Sequence, residues 1–370
     1  MSADIREDEQ AGAPPLSVQQ AESFWKDFSA QLPQLEALAP QEFVERAHEV
    51  LAPYVPDLSI ELEGKPKEAG TRLVVTAHGS LDQFENVQTL VRHAPRLPNY
   101  EVHAFRSRSH GSDFAMHMND FELSCSDVLV AHYDAGGVVG LELAFEKIVP
   151  ADMLEHARHM AFIMLDHVLG EWDFAVRVGP VEFVDAFSDE VAGAEPLSVF
   201  PPIFDAFLRD DLGRSYAYPN EQDDRWSSLE VRLKDSEDDD PPDLLTFRDS
   251  ANAVATRADF SHYLEWRFPC DSQEALDAVR DAHDALDAEL ERGQRGILVY
   301  TRMEQMRSRV AAFYVDDPEH AAQLAHRLGA QFAPGLAADL HVEFDPSWRE
   351  YLALYGAIHL RHGDDAETAQ

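Results

Sequence analysis

Asp152, His156 and His159 follow one another at spacings of four and three residues within 150–169, a stretch whose apolar pattern predicts a helix. Helical pitch brings such side chains to roughly one side, and the line extends to Asp166 or His167. Two imidazoles and a carboxylate so placed could ligate a transition metal. The spacing is neither that of a zincin His-Glu-x-x-His nor that of a di-iron Glu-x-x-His set, and a solvated helix face is the competing reading. A second cluster, Arg-Ser-Arg-Ser-His-Gly-Ser-Asp at 106–113, is the most basic patch of the chain. Arg106, Arg108, His110 and Ser112, with the backbone amides of a long loop, could hold a small anion such as phosphate. A loop closed by its own ion pairs is the alternative. His103, His117 and His132 fall on the strands around it. A third group, Tyr263, Glu265 and Arg267, shares one face of a strand that is open to a ligand, a partner protein or another part of the chain.

Nucleophilic machinery is absent as a motif. No Gly-x-Ser-x-Gly elbow occurs, and Cys125 sits in a stretch that reads as buried strand. Gly136, Gly137 and Gly140 lack the lysine and hydroxyl of a phosphate loop, so they read as a hairpin turn. No motif calls for a cofactor.

These clusters sit in a very acidic chain. Its 370 residues carry 69 acids against 30 Lys and Arg, a formal charge of -39, which disfavours a nucleic-acid partner. The acidity fits plain solubility, a saline cytoplasm or a basic protein partner. A hydrophobic share of 45% supports two ordinary domains with real cores. The two cysteines, Cys125 and Cys270, give no disulfide framework and suit a reducing compartment. Residues 1–15 are acidic and polar, with no signal core, and no apolar run approaches the roughly 18 residues that a membrane span needs. A cytoplasmic protein with no membrane partner is the expectation.

The most regular unit is 259–344. Alternation puts Phe260, His262, Leu264, Trp266 and Phe268 on one strand face and Ser261, Tyr263, Glu265 and Arg267 on the other. Leu276, Val279, Ala282, Leu286 and Leu290 give the helix that follows its buried side. Two short strands, 297–303 and 309–315, read as a hairpin. Asp317 caps a helix that starts at Pro318, with Gly329 where a C-cap should stand, and Leu340, Val342 and Phe344 alternate as a last strand. This βαββαβ order predicts an α+β, ferredoxin-like unit, an antiparallel sheet with both helices on one face. Its other face must be covered, by the first domain, a second copy or a partner.

The first half reads as two opening helices (18–32 and 40–51), strands at 58–62 and 71–77, a helix at 81–93 and a strand at 100–105. A hairpin over 121–145, the helix at 150–169 and one or two strands in 172–184 follow. The expected organisation is a disordered start (1–16), an α+β domain (17–190), a proline-rich acidic linker (191–224) with a short helix at 203–208, a ferredoxin-like domain (225–360) and a disordered tail (361–370). The acidic run 236–243 reads as an exposed loop.

The strand pair around 307–315, the Pro318 helix and the closing Asp-Pro-Ser-Trp-Arg-Glu-Tyr at 345–351 resemble DUF695, a bacterial family of uncharacterised proteins, over 225–356. Thr71 to Gly79, Ala94 and Pro95, Ala104 to Arg106 and Leu169 to Glu171 are similar to the domain that precedes such modules in other uncharacterised bacterial proteins. The resemblance implies no established activity. Some members of that family are fused to a module like the protein inhibitor of ribonuclease E, another small acidic domain. With no catalytic motif assembled, the expectation is a non-catalytic interaction or regulatory protein that engages a protein partner. A metal-dependent enzyme or anionic-ligand binder with its site in the N-terminal domain is the alternative.

Overall fold

The computed structural model describes residues 15–109, 113–118, 121–188, 191, 193–232 and 241–367, with side chains as far as His359 in the last helix. The architecture is α+β, with several separate sheets. Among the described residues no helix is long and apolar enough to cross a membrane.

The first core is built on α1 (Val18–Leu35), α2 (Pro40–Leu51), β1 (Ser59–Glu63), β2 (Thr71–Thr76), α3 (Phe84–Arg92) and β3 (Tyr100–Ala104). Ser17 caps α1 in a reciprocal pairing with Gln20. Phe24, Trp25, Phe28 and Leu32 then fall on one helical face and are buried. The Trp25 indole N–H donates to the Leu90 carbonyl at 2.7 Å, which fixes α1 against α3. The sheet order is β1-β2-β3, with β2 and β3 parallel.

A second core begins within the stretch expected to form one domain and continues past residue 190. It comprises the ribbon β4 (Ala115–Met118) and β5 (Phe121–Ser124), then β6 (Val128–Asp134), β7 (Val139–Phe145), α4 (Leu154–Leu169), β8 (Val178–Phe183), β9 (Glu195–Pro196) and α5 (Phe200–Asp210). Strand order is β8-β7-β6-β9, and β7 and β8 are parallel. The proline-rich stretch 191–224 feeds this core through Leu197, Phe200, Phe204 and Leu208, all buried.

The expectation of purely antiparallel sheets is therefore corrected. The helices α3 and α4 each return the chain across a sheet, so β2–α3–β3 and β7–α4–β8 are parallel crossovers. Helical spacing alone does not reveal this, because the same helix can join parallel or antiparallel strands.

The remainder forms a six-stranded sheet of order β10-β11-β13-β14-β12-β15, in which every pair is antiparallel. Its strands are β10 (Trp226–Val231), β11 (Asp243–Arg248), β12 (His262–Pro269), β13 (Gly296–Glu304), β14 (Ser308–Val315) and β15 (Asp339–Phe344). The helices α6 (Gln273–Gly293) and α7 (Pro318–Phe332) pack on one face, over Leu264, Trp266, Phe268 and Phe313. Gly329 is not a C-cap: it lies inside α7, where a Cβ would stand 3.2 Å from the Trp266 ring, so the glycine lets helix and sheet approach. Residues 236–240 of the acidic run lie outside the described residues. At its end Asp243 is buried, opens β11 and accepts from the Arg302 Nε at 2.9 Å.

The chain covers its own second sheet face. The last helix, α8 (Arg349–Glu367), and the segment 249–260 lie there. Trp348 stacks on Tyr314 with ring centroids 3.9 Å apart, Tyr351 stacks on Phe247 at 4.9 Å, and the Trp348 indole donates to the Phe260 carbonyl at 2.6 Å. Neither the first half of the chain nor a second molecule is needed to bury these aromatics.

Asp287 on α6 is half-buried, and its Oδ1 is buried without a hydrogen-bond partner among the described residues. Burial raises its carboxyl to about 6, against the opposing pull of Arg248. Below about pH 4 the acid is protonated in both folded and unfolded chains. As pH rises from about 4 through 6, the unfolded chain ionises first, so this site's contribution to stability is lost across that window, on the order of 2–3 kcal/mol. Asp287→Asn is expected to raise the unfolding midpoint at pH 7.5 and to leave it nearly unchanged at pH 4, as read by urea titration at the two pH values.

Candidate functional site

The C-terminus of α4 is the place where the first two cores meet. Gly170 ends the helix at φ +87, and a Cβ there would lie 3.3 Å from both the Arg106 carbonyl oxygen and the Arg108 nitrogen. The glycine is required for the 106–108 strand of loop to pass this closely. The next residue, Glu171, is fully buried. Its N–H donates to the Arg106 carbonyl at 3.0 Å. Its carboxylate accepts from four donors: Oε2 from the Thr76 hydroxyl at 2.7 Å and the Arg106 N–H at 2.9 Å, Oε1 from the Ala77 N–H at 2.9 Å and the Gly79 N–H at 3.0 Å. A buried carboxylate is tolerated when its lone pairs are met in this way. The loop after β2 is shaped to supply those donors, with His78 at φ +52 and Gly79 at φ +79.

Above this anchor opens a cleft of about 420 Å³. One wall is polar, formed by Glu61 from β1, His78, Arg106, Asp166 and His167, and the other carries Phe162, Ile163 and Phe174. Arg106 is the centre of the polar wall. Its Nε reaches the Glu61 carboxylate at 3.2 Å, its Nη1 is bonded to Asp166, and its Nη2 meets the Thr76 hydroxyl at 3.3 Å and the His78 Nδ1 at 3.1 Å. Asp166 Oδ1 is buried without a hydrogen-bond partner among the described residues. Burial pushes the Asp166 carboxyl above its ordinary range, Arg106 draws it back, and Glu171 pushes it up again.

Arg108 points the other way. Its Nε donates to the Leu169 carbonyl at 2.9 Å, and its two terminal nitrogens bond Asp205 at 2.8 and 2.7 Å and Asp173 at 2.5 Å. Burial works against this charge, but Asp205 and Asp173 outweigh it and hold the guanidinium more firmly protonated. Both arginines of the basic loop are thus tied to acceptors of the same chain. His110 and Ser112 lie outside the described residues.

The helical triad is not brought together. Asp152 belongs to a 3₁₀ turn that precedes α4, which breaks the helical spacing, and Asp152, His156 and His159 are all exposed. Among the described residues no group of three or more His, Cys, Asp and Glu side chains could hold a metal ion. The two residues at the far end of that line, Asp166 and His167, are the ones that reach the cleft. His103 and His117 pair with Glu101 and Glu122 at 3.4 and 3.3 Å on their own strands or ribbon. His132 is buried edge-on to Phe207 at 4.7 Å, and burial lowers its affinity for a proton.

Tyr263 is buried at 4% exposure, with its hydroxyl 2.6 Å from that of Tyr300 and 3.1 Å from Glu265 Oε2. Arg267 joins Glu265 at 2.9 Å and Glu304 in an internal ion-pair group. Tyr263 is therefore closed to a partner, and Glu265 and Arg267 are half-buried. Glu61, His78 and Asp205 were not singled out by sequence. The signal for Glu61 was the alternation of β1, with Ile60 buried beside it, but nothing in the sequence places β1 over α4.

No family model, no curated protein and no solved structure matches this chain.

Arg106→Met would leave Glu61 and Asp166 facing each other without their shared cation. The expected loss is about 3 kcal/mol of unfolding free energy. Adding Asp166→Asn should recover part of it, and a double-mutant cycle by urea denaturation measures the coupling.

Proposed function

We propose that this is a non-catalytic interaction or regulatory protein that engages a basic protein partner. The observation that carries the reading is the state of the basic loop. Every guanidinium nitrogen of Arg106 and Arg108 already has an acceptor from its own chain. A small anion at this loop would have to displace Glu61, Asp166, Asp173 and Asp205, and the surrounding charge of -39 opposes its approach. The same charge attracts a basic surface, accelerates its docking and makes the complex salt-sensitive.

The C-terminal half is proposed as a ferredoxin-like module enlarged by two strands. Supporting this are the order β13-β14-β12-β15, the crossover helices α6 and α7 on one face, and β10 and β11 added beyond β13. The likeness to DUF695 has as its support the residues around 307–315 and 345–351.

Affinity capture from the native host at low and at moderate salt tests the function. A stoichiometric basic partner, retained at low salt and weakened as salt rises, is the expected result. Recovery of no such partner at either salt concentration contradicts it. For the metal-dependent alternative, addition and chelation of divalent ions are expected to leave the thermal midpoint where it is. A shift of several degrees that saturates with one ion per chain would favour that alternative.

A further inference from the structure

The polar wall of the cleft carries two carboxylates, those of Glu61 and Asp166, on a single guanidinium, that of Arg106. It therefore keeps an excess of negative charge after Arg106 is paired. Glu61 is the carboxylate that remains open, at 35% side-chain exposure. The facing wall is aromatic. Phe162 is 38% exposed at the mouth, an unusual place for a large apolar ring, with its centroid 6.3 Å from Phe174 and 5.8 Å from Phe183. Aromatic rings and an open carboxylate lining one cleft suit a cation carried on an apolar stem: the stem packs on the phenylalanines and the charge reaches the acid. The roughly 420 Å³ of the cleft admits one such side chain.

We propose that this cleft receives one basic side chain, a guanidinium or ammonium on its aliphatic stem, presented by the partner protein. Glu61 takes the charge, Phe162 and Phe174 flank the stem, and Arg106 with Asp166 and Glu171 holds the polar wall in place. The proposal rests on the reading of the protein as one that engages a basic partner, and it assigns the contact that makes that engagement selective.

The test uses the full chain and the capped peptide acetyl-Gly-Arg-Gly-amide, titrated calorimetrically at low salt, with agmatine and inorganic phosphate in parallel. Glu61→Gln keeps an oxygen for the Arg106 Nε, and Phe162→Ala removes only a half-exposed ring, so both chains are expected to fold; a circular-dichroism melt checks this. Glu49→Gln, on the exposed side of α2, serves as the control for general acidity. The peptide is expected to bind with a Kd on the order of millimolar, weakened about fivefold or more by Glu61→Gln and by Phe162→Ala and unchanged by Glu49→Gln. Equal binding to all four chains would overturn the proposal, as would binding of phosphate in place of the peptide. Agmatine binding without the peptide would overturn the partner as the source of the cation. A basic partner that is captured equally well by wild type, Glu61→Gln and Phe162→Ala would remove the cleft from the interaction while leaving the interaction itself standing.

Discussion

The buried carboxylate of Glu171 is the interaction on which the arrangement of the first half depends. A charge with no exposed surface is costly unless its oxygens are met, and here four donors from two loops converge on it. Those loops follow β2 and β3 of the first core, whereas Glu171 follows α4 of the second. The requirement to satisfy one carboxylate thus fixes the two cores relative to each other and sets the depth of the cleft between them. The neighbouring residue extends the joint: Trp172 packs on Phe84 and Phe105 of the first core, and its indole donates at 3.1 Å to the carbonyl of Thr256, in the segment 249–260 that covers the six-stranded sheet. Arg177 reaches the same carbonyl at 3.3 Å.

A second joint works on the same principle with opposite sign. Arg214 is buried at 2% exposure and among the described residues bonds no carboxylate; it donates to Asn252 Oδ1 and the Gly137 carbonyl, each at 2.9 Å. The hairpin turn at 134–139 is shaped for this. Asp134 Oδ1 accepts from the N–H groups of Gly136 and Gly137, both glycines have φ near +90, and a Cβ on Gly137 would crowd Arg214 at 3.3 Å. Arg248 is buried as well but is paired, with Asp224 and Glu291, so buried guanidiniums in this acidic chain both organise backbone and neutralise acids.

Local pattern made much of the secondary structure legible. The helix that starts at Pro40 and the one that starts at Pro318, the alternation of β12 and the hairpin at 136–137 were written in caps, prolines, glycines and period-two burial. What the pattern could not carry was anything that depends on which element lies beside which. The parallel crossovers, the split of the first half into two cores and the return of α8 onto the sheet all follow from long-range packing. Asp243 shows the limit most simply: an aspartate at the end of an acidic run reads as solvated, yet Arg302, far along the chain, draws it into the sheet. The candidate site was legible only in pieces. Thr71 to Gly79, Arg106 and Leu169 to Glu171 were marked as segments, but their meeting at one carboxylate is a property of the fold.

Amide hydrogen exchange at Ala77, Gly79 and Arg106, compared between wild type and Glu171→Gln, tests the central role of Glu171 most directly. A glutamine has one accepting oxygen and a nitrogen that only donates, so whichever way it turns it leaves at least one of these backbone N–H groups facing a donor. The account predicts strong protection at all three amides in wild type, a loss of protection at Arg106 or at the Ala77 and Gly79 pair in the variant, and a fall in stability of about 2 kcal/mol or more. Unchanged protection and an unchanged unfolding midpoint in Glu171→Gln would contradict it.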